Sequence, residues 1–235
     1  MATSYVFTYL SPSDIDSISS LEPSYPRSLD ALAAHINLPN FPAVLKQFIY
    51  RYDHPDMEEF PAVLPQFDRI IHVHHSATAT YYSPSDGCGA GGLIRELIRS
   101  SPSYRHRLRR DTVFISTDPT KKGMDGMMVA RVLLLFSFNY RRHDFSCALV
   151  HWYLPVGRDS DTTMWMVRPE CHDNRGHLML QVVPTDIIVC GAHLLPVYGQ
   201  SRVPQRFDHF MALDTYKSFF VNHFIDHHTH KLIVG

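Results

Sequence analysis

Histidine is abundant in this 235-residue chain, 16 residues in all, and part of that number is grouped. His72 and His74 stand two apart, the H-x-H spacing that puts both imidazoles on one face of a strand and lets a β-barrel offer them to one metal. His223, Asp226, His227 and His230 fall at i, i+3, i+4 and i+7, a single stripe if the segment is helical. Imidazoles and a carboxylate together are a sensible ligand set for a divalent metal such as zinc. No H-E-x-x-H is present, however, and no glutamate stands beside the stripe as a general base. The competing reading is a set of surface or interface histidines on a terminal helix.

A second chemistry lies in residues 95–110, RELIRSSPSYRHRLRR. Arg95, Arg99, Arg105, Arg107, Arg109 and Arg110 share this stretch with one acid, Glu96, and one tyrosine, Tyr104. Guanidinium groups concentrated on a short helix, expected over 92–99, and on the loop after it suit contact with phosphates. A solvated charged face is the plainer alternative. Just upstream, Gly87, Gly89 and Gly92 spell G-x-G-x-x-G. Ser83-Pro84-Ser85-Asp86 separates the glycines from the preceding strand, and strands follow in succession, so a glycine-rich turn explains them better than a dinucleotide site. Cys88, Cys147, Cys171 and Cys190 form no C-x-x-C pair and read as reduced thiols. Cys147 and His151 share a strand face, but a thiol inside an apolar strand is ordinarily core.

The elements that must position these groups are mostly strands. Residues 69–82 alternate, with Ile71, Val73, Ala77 and Ala79 opposing His72, His74, Ser76, Thr78 and Thr80. Residues 112–117, 127–138, 145–154, 163–167, 177–183 and 187–194 also read as strands. The pair 127–138 and 145–154, joined by a long hairpin loop, is apolar on both faces, as central or barrel strands are. Residues 28–36, with Ser28 as N-cap, and 42–52, opening on Pro42, are helix candidates. Leu213, Tyr216, Phe220 and Phe224 return to helical spacing near the end. The expected organisation is a Pro-rich lead-in with short helices over 1–68, a β-rich core over 69–206 and a C-terminal helix over 207–235. The fold class is mainly β (α+β), a small barrel or strongly bent antiparallel sheet with flanking helices. Apolar residues make up 45% and the net charge is −1, which argues against a disordered tail and against a strongly cationic duplex binder. The run at 132–136 is too short to cross a bilayer. The N-terminus has no basic region followed by a cleavage site, so an intracellular protein, nuclear or cytoplasmic, is expected.

The segments HVHHSATATYYSPSDGCGAGGLIRELIRSSPSYR, RRDTVFISTD, GMDGMMVARVLLLFSF, CALVHWYLPVG, TMWMVRPE, AHLLPVYG and FFVNHFIDHHTH, in that order, resemble the C-terminal region of fungal transposase-like proteins of the Plavaka or Kyakuja–Dileera–Zisupton type. That region follows the catalytic core, so the resemblance implies an accessory module without the carboxylates that cut DNA. A smaller likeness, over VARVLLLFSF, FSCALVHWYLPVG and TTMWMVRPE, is to the β-barrel of bromo-adjacent homology modules, which bind chromatin proteins. It would make Trp152, Tyr153 and Trp165 candidates for a peptide groove, against the alternative that both tryptophans are core. The expected function is therefore a transposon-derived, non-catalytic module with no cofactor, contacting nucleic acid or a chromatin-associated protein. A histidine-ligated metalloprotein or metal-dependent enzyme is the alternative.

Overall fold

The computed structural model describes residues 6–9, 25–57, 59–83, 92–103, 107–171, 176–199, 207–208 and 211–234. In chain order the elements are β1 (Val6–Tyr9), α1 (Leu29–His35), α2 (Phe41–Asp53), β2 (Ile71–His74), β3 (Ser76–Tyr82), β4 (Leu93–Ser103), β5 (Arg107–Arg110), β6 (Thr112–Ser116) and β7 (Met127–Tyr140). They continue with β8 (His143–Arg158), β9 (Trp165–Pro169), β10 (Leu180–Pro184), β11 (Ile188–Gly191), β12 (Leu194–Pro196), α3 (Ala212–Thr215), β13 (Phe219–Val221) and α4 (His227–Val234). The protein is mainly β, built on a strongly curled antiparallel half-barrel. Its nine-stranded sheet runs β11-β6-β7-β8-β9-β13-β12, with β10 beside β8 and β2 beside β7. A four-stranded sheet, β1-β3-β4-β5, lies against it.

The centre is the β7–β8 hairpin. Its strands are apolar on both faces, so both faces need cover. The hairpin is tighter than the long loop expected from sequence: pairing continues to Tyr140 and His143. Arg141 (φ 49°) and Arg142 (φ 66°) make the turn, both in the left-handed region that a two-residue hairpin uses to match strand twist. A register shift between Val132 and Leu134 bends the pair and changes the parity of the alternation. Ala130, Val132 and Leu135 therefore share one core with Ala77, Ala79 and Ile98 of the smaller sheet. On the other face, Leu134, Phe136 and Phe138 pack under α1 and α2, through Leu32, Phe41, Leu45 and Ile49. Further along, Val129 and Tyr153 join a third core with Phe219, Val221 and Ile233 of the C-terminal elements.

Two segments differ from the helices expected of them. Residues 93–103 are strand β4: Ile94 and Ile98 turn to the core while Leu93 and Arg95 are exposed, a period of two that pairing with β3 completes. Near the C-terminus, the apolar spacing is divided among α3, β13 and α4, because Phe219–Val221 pair with both β9 and β12. By contrast α1 begins after Ser28 and α2 carries Pro42 in its first turn, as the sequence indicates. At the close approach of α4 to the turn before β7, a Cβ on Gly123 (φ +60°) would stand 2.6 Å from the Ile233 carbonyl oxygen.

Phe41 is fully buried, its ring edge-on to Phe136 at 5.3 Å between centroids. Phe41→Ala is expected to cost about 3–5 kcal/mol of unfolding free energy, since the cavity opens where the helical layer meets β7. Urea unfolding measures it, and a loss under about 1 kcal/mol would show that the helices are not anchored there.

Candidate functional site: an arginine-bearing sheet face

The smaller sheet has one face in the core; on its other face Ser76 and Thr78 of β3 are also buried and Arg99 is half-buried, while Arg95 and Arg109 are exposed. Cross-strand partners share a face, so the register assigns the arginines. Arg95 stands opposite Thr80, Arg99 opposite Ser76 and Leu93 opposite Tyr82. On the next strand Arg109 stands opposite Ser101, and Ser103 pairs with Arg107. Arg95, Arg99 and Arg109 thus lie on the outward side, with Tyr82 and Leu93, both about half exposed (54% and 50%), at its end. Arg105 and Tyr104 lie outside the described residues, as do Gly87 and Gly89.

The acid in the middle of this cluster is withdrawn from it. Glu96 has the opposite parity from Arg95, and its Oε2 accepts a hydrogen bond of 2.7 Å from the Gly191 amide of β11. Burial, opposed by that bond, raises its carboxyl above the ordinary value. Asp111, just after β5, organises the ribbon from its edge: it accepts from the Arg99 amide and from Arg109 Nε, each at 2.9 Å. The Arg99 backbone and the Arg109 guanidinium are held by one carboxylate.

Arg110 goes the other way. It pairs with Ser100, a buried position, and burial followed by the neighbouring Arg131 lowers its pKa below the usual arginine value. Arg131, in the middle of apolar β7, makes a two-pronged ion pair with Asp214 of α3, Nη1 to Oδ1 and Nη2 to Oδ2 at 3.2 Å. These partners were not among the candidates read from sequence. An arginine inside MVARVLLLF was the available signal, because a charge on a doubly buried strand must find a partner.

The aromatic candidates do not line one groove. Trp152 and Tyr153 have opposite parity on β8. Trp152 donates through Nε1 to Gln181 at 2.9 Å and borders a pocket of about 170 Å³ with Phe48 and Arg51 of α2 and Leu180 of β10. Tyr153 is sealed in the core, its hydroxyl pushed up to about 12 by burial. Trp165, paired with Arg158 at the far end of β8, lies under the Arg158 guanidinium at 4.7 Å.

The histidines divide into two places. His72 and His74 are on β2, opposite Ser137 and Leu135, and His74 Nε2 bonds to Ser137 Oγ at 2.8 Å. α4 starts at His227, so His223 and Asp226 precede the helix and the stripe is not continuous. Asp226 accepts from the Thr229 amide at 2.6 Å, as an N-terminal cap does. His223, fully buried, faces His230 with 5.3 Å between ring centroids. α4 approaches the turn before Met127, eight residues from Leu135, which is about 26 Å along a strand. Among the described residues no three His, Cys, Asp or Glu side chains gather as a metal would need. No helix among them is long and apolar enough to cross a membrane.

Because the folded carboxyl of Glu96 titrates higher than in the unfolded chain, folded protein holds the extra proton between the two values, and stability falls as pH rises from about 4.3 through that window. Glu96→Gln keeps an acceptor for Gly191 and removes the titration. Relative to the parent, the variant is expected to gain stability across the window, seen in urea melts at a series of pH values from 4 to 7. A difference that does not change with pH would refute it.

No family model matches this chain, and neither does any curated protein or solved structure.

Proposed function

We propose that the chain is a non-catalytic module that contacts the phosphate backbone of nucleic acid through the outward face of the β3-β4-β5 sheet. This is the kind of accessory role that the resemblance to the C-terminal region of transposase-like proteins implies. The observation that carries the reading is the parity of β4: Arg95 and Arg99 lie outward while Glu96 is turned away to Gly191. A guanidinium on a strand presents a planar fork of donors, suited to phosphate oxygens, and a neighbouring carboxylate would compete for those donors. Here the competitor on β4 is tied up elsewhere. Asp111 at the edge engages the Arg109 Nε and leaves the terminal nitrogens of that side chain for another acceptor. Exposed Tyr82 adds a ring against which an unpaired base can stack. Contacts of this type position a protein on nucleic acid without reading its sequence. With a net charge of −1, binding has to come from this local face and not from the field of the whole protein.

The test is fluorescence anisotropy with single-stranded DNA, duplex DNA and RNA over a range of salt. In Arg95→Ala/Arg99→Ala/Arg109→Ala affinity is expected to fall uniformly across sequences. The slope of log K against log salt is expected to flatten by about 2–3, near one for each phosphate that the protein no longer neutralises. All three positions are at the surface or its margin, so the fold is expected to survive, with circular dichroism as the control. Unchanged affinity and slope would overturn the reading.

A further inference from the structure

Among the described arginines of the 95–110 cluster Arg110 turns inward, at Ser100, and the described residues around it supply few negative charges. The Asp111 carbonyl, one residue on, accepts from the Val132 amide at 2.9 Å, which sets Arg110 beside Arg131 on the neighbouring strand. Arg131 is 9% exposed. Both oxygens of Asp214 are spent on its terminal nitrogens, and Arg131 Nε is buried with no hydrogen-bond partner among the described residues. His151, opposite Arg131 on β8, contributes no charge: its Nε2 donates to the Glu170 carbonyl at 2.8 Å, and burial lowers its basicity. Tyr153 stays neutral, its hydroxyl raised to about 12. Asp111 is committed to Arg109 and to the Arg99 amide. Among the described residues, two guanidinium charges therefore share the single carboxylate of Asp214, whose side chain is 64% exposed at the rim.

We infer that Arg110 and Arg131 form an anion-binding site for a phosphate monoester or free phosphate dianion, with the Asp214 carboxylate occupying the place of the ligand in its absence. A carboxylate supplies one charge and two oxygens. A phosphate monoester supplies nearly two charges and three acceptor oxygens, enough to reach Arg131 Nε or Arg110 as well as the pair that Asp214 now holds. It neutralises the pair of arginines where the carboxylate leaves one charge over. Asp214, already mostly in solvent, can swing outward without burying anything in exchange. The site is distinct from the outward arginines and does not depend on them.

The experiment uses the full chain and inorganic phosphate at pH 7.5, with chloride making up the ionic strength, followed by thermal melting and by the arginine Nε–H resonances. Phosphate is expected to raise Tm above the chloride control and to shift the Arg131 Nε–H signal. Asp214→Asn, at an exposed position, removes the competing charge and is expected to tighten phosphate binding about tenfold. Arg110→Ala is expected to abolish the phosphate-specific rise, while Arg95→Ala/Arg99→Ala/Arg109→Ala keeps it. A 5′-phosphorylated trinucleotide and its 5′-hydroxyl counterpart then separate the sources. A larger response to the first than to inorganic phosphate assigns the site to a nucleic-acid terminus, and an equal response assigns it to phosphate itself. Phosphate indistinguishable from chloride in both the parent and Asp214→Asn would overturn the inference, as would a full response in Arg110→Ala. Because the probe is inorganic phosphate, failure here leaves the outward face untouched, and failure there leaves this site standing.

Discussion

The pairing of β7 with β8 is the constraint on which the rest of the molecule depends. Strands this long and this apolar on both faces cannot be left with either face in water, at about 25 cal/mol for each Å² of apolar surface. One cover is the β3–β4 layer, which meets Ala130, Val132 and Leu135. The other is supplied in two pieces, α1 and α2 over Phe136 and Phe138, and the C-terminal elements over Val129 and Tyr153. The bulge near Leu133 makes this division possible. By changing the alternation part-way along β7, it puts consecutive Leu133 and Leu134 under the helical layer together. The arginine sheet thus has its inner side in the core because β7 demands a cover.

Within that frame, carboxylates join distant elements. Glu96 ties β4 to β11 at Gly191, and Asp214 ties α3 to β7 at Arg131. Asp53, at the end of α2, accepts from the Tyr140 hydroxyl at 2.8 Å and pairs with Arg141 at 3.0 Å, holding the helix to the β7–β8 turn. The Asp53 side chain is buried, Glu96 is half-buried and Asp214 is at the rim, and each is matched by a donor from an element far away in sequence. Leaving one partner alone costs more than the pair contributes, so such contacts select one arrangement of elements over others of similar hydrophobic content. The Arg131 contact is the least balanced of these, since a second guanidinium shares its carboxylate.

How far the sequence foretells this depends on whether a feature is local. The doubly apolar runs disclose β7 and β8, and Ser28 and Pro42 mark the starts of α1 and α2, because such preferences are carried by adjacent residues. The alternating run over 69–82 is divided between β2 of the larger sheet and β3 of the smaller, and β3 is buried at Ser76 and Thr78 as well as at Ala77 and Ala79. Residues 92–99 misled because Ile94, Leu97 and Ile98 satisfy helical spacing as well as a strand with one wet face. What decides is β3, whose pairing with β4 is not written in residues 92–99. The C-terminal stretch misled for the same reason, β13 being a strand only by virtue of β9 and β12. For the arginine site, composition located the cluster but not its division. Of the two histidine groups, His72 and His74 lie on one strand as their spacing implies, while the second is broken where α4 begins at His227, and the distance between the groups is a property of β7 that spacing does not express.

The division of the cluster is a consequence of strand parity with chemical effect. Arg109 and Arg110 are neighbours in sequence and face opposite sides of one ribbon. Outward, the exposed guanidinium groups of Arg95 and Arg109 meet high dielectric and mobile ions, and their attraction for a phosphate fades beyond about 8 Å at physiological salt. Such contacts are numerous, exchangeable and indifferent to sequence. Inward, Arg110 is partly desolvated beside Arg131, where charge interactions are several times stronger and an anion must fit a defined set of donors. A slip of one residue between β4 and β5 would exchange the two environments. Asp111 opposes that slip, since it bonds at once to the Arg99 amide across the ribbon and to Arg109 on its own side. The carboxylate that lowers the charge of the outward face is thus the one that keeps its arginines outward.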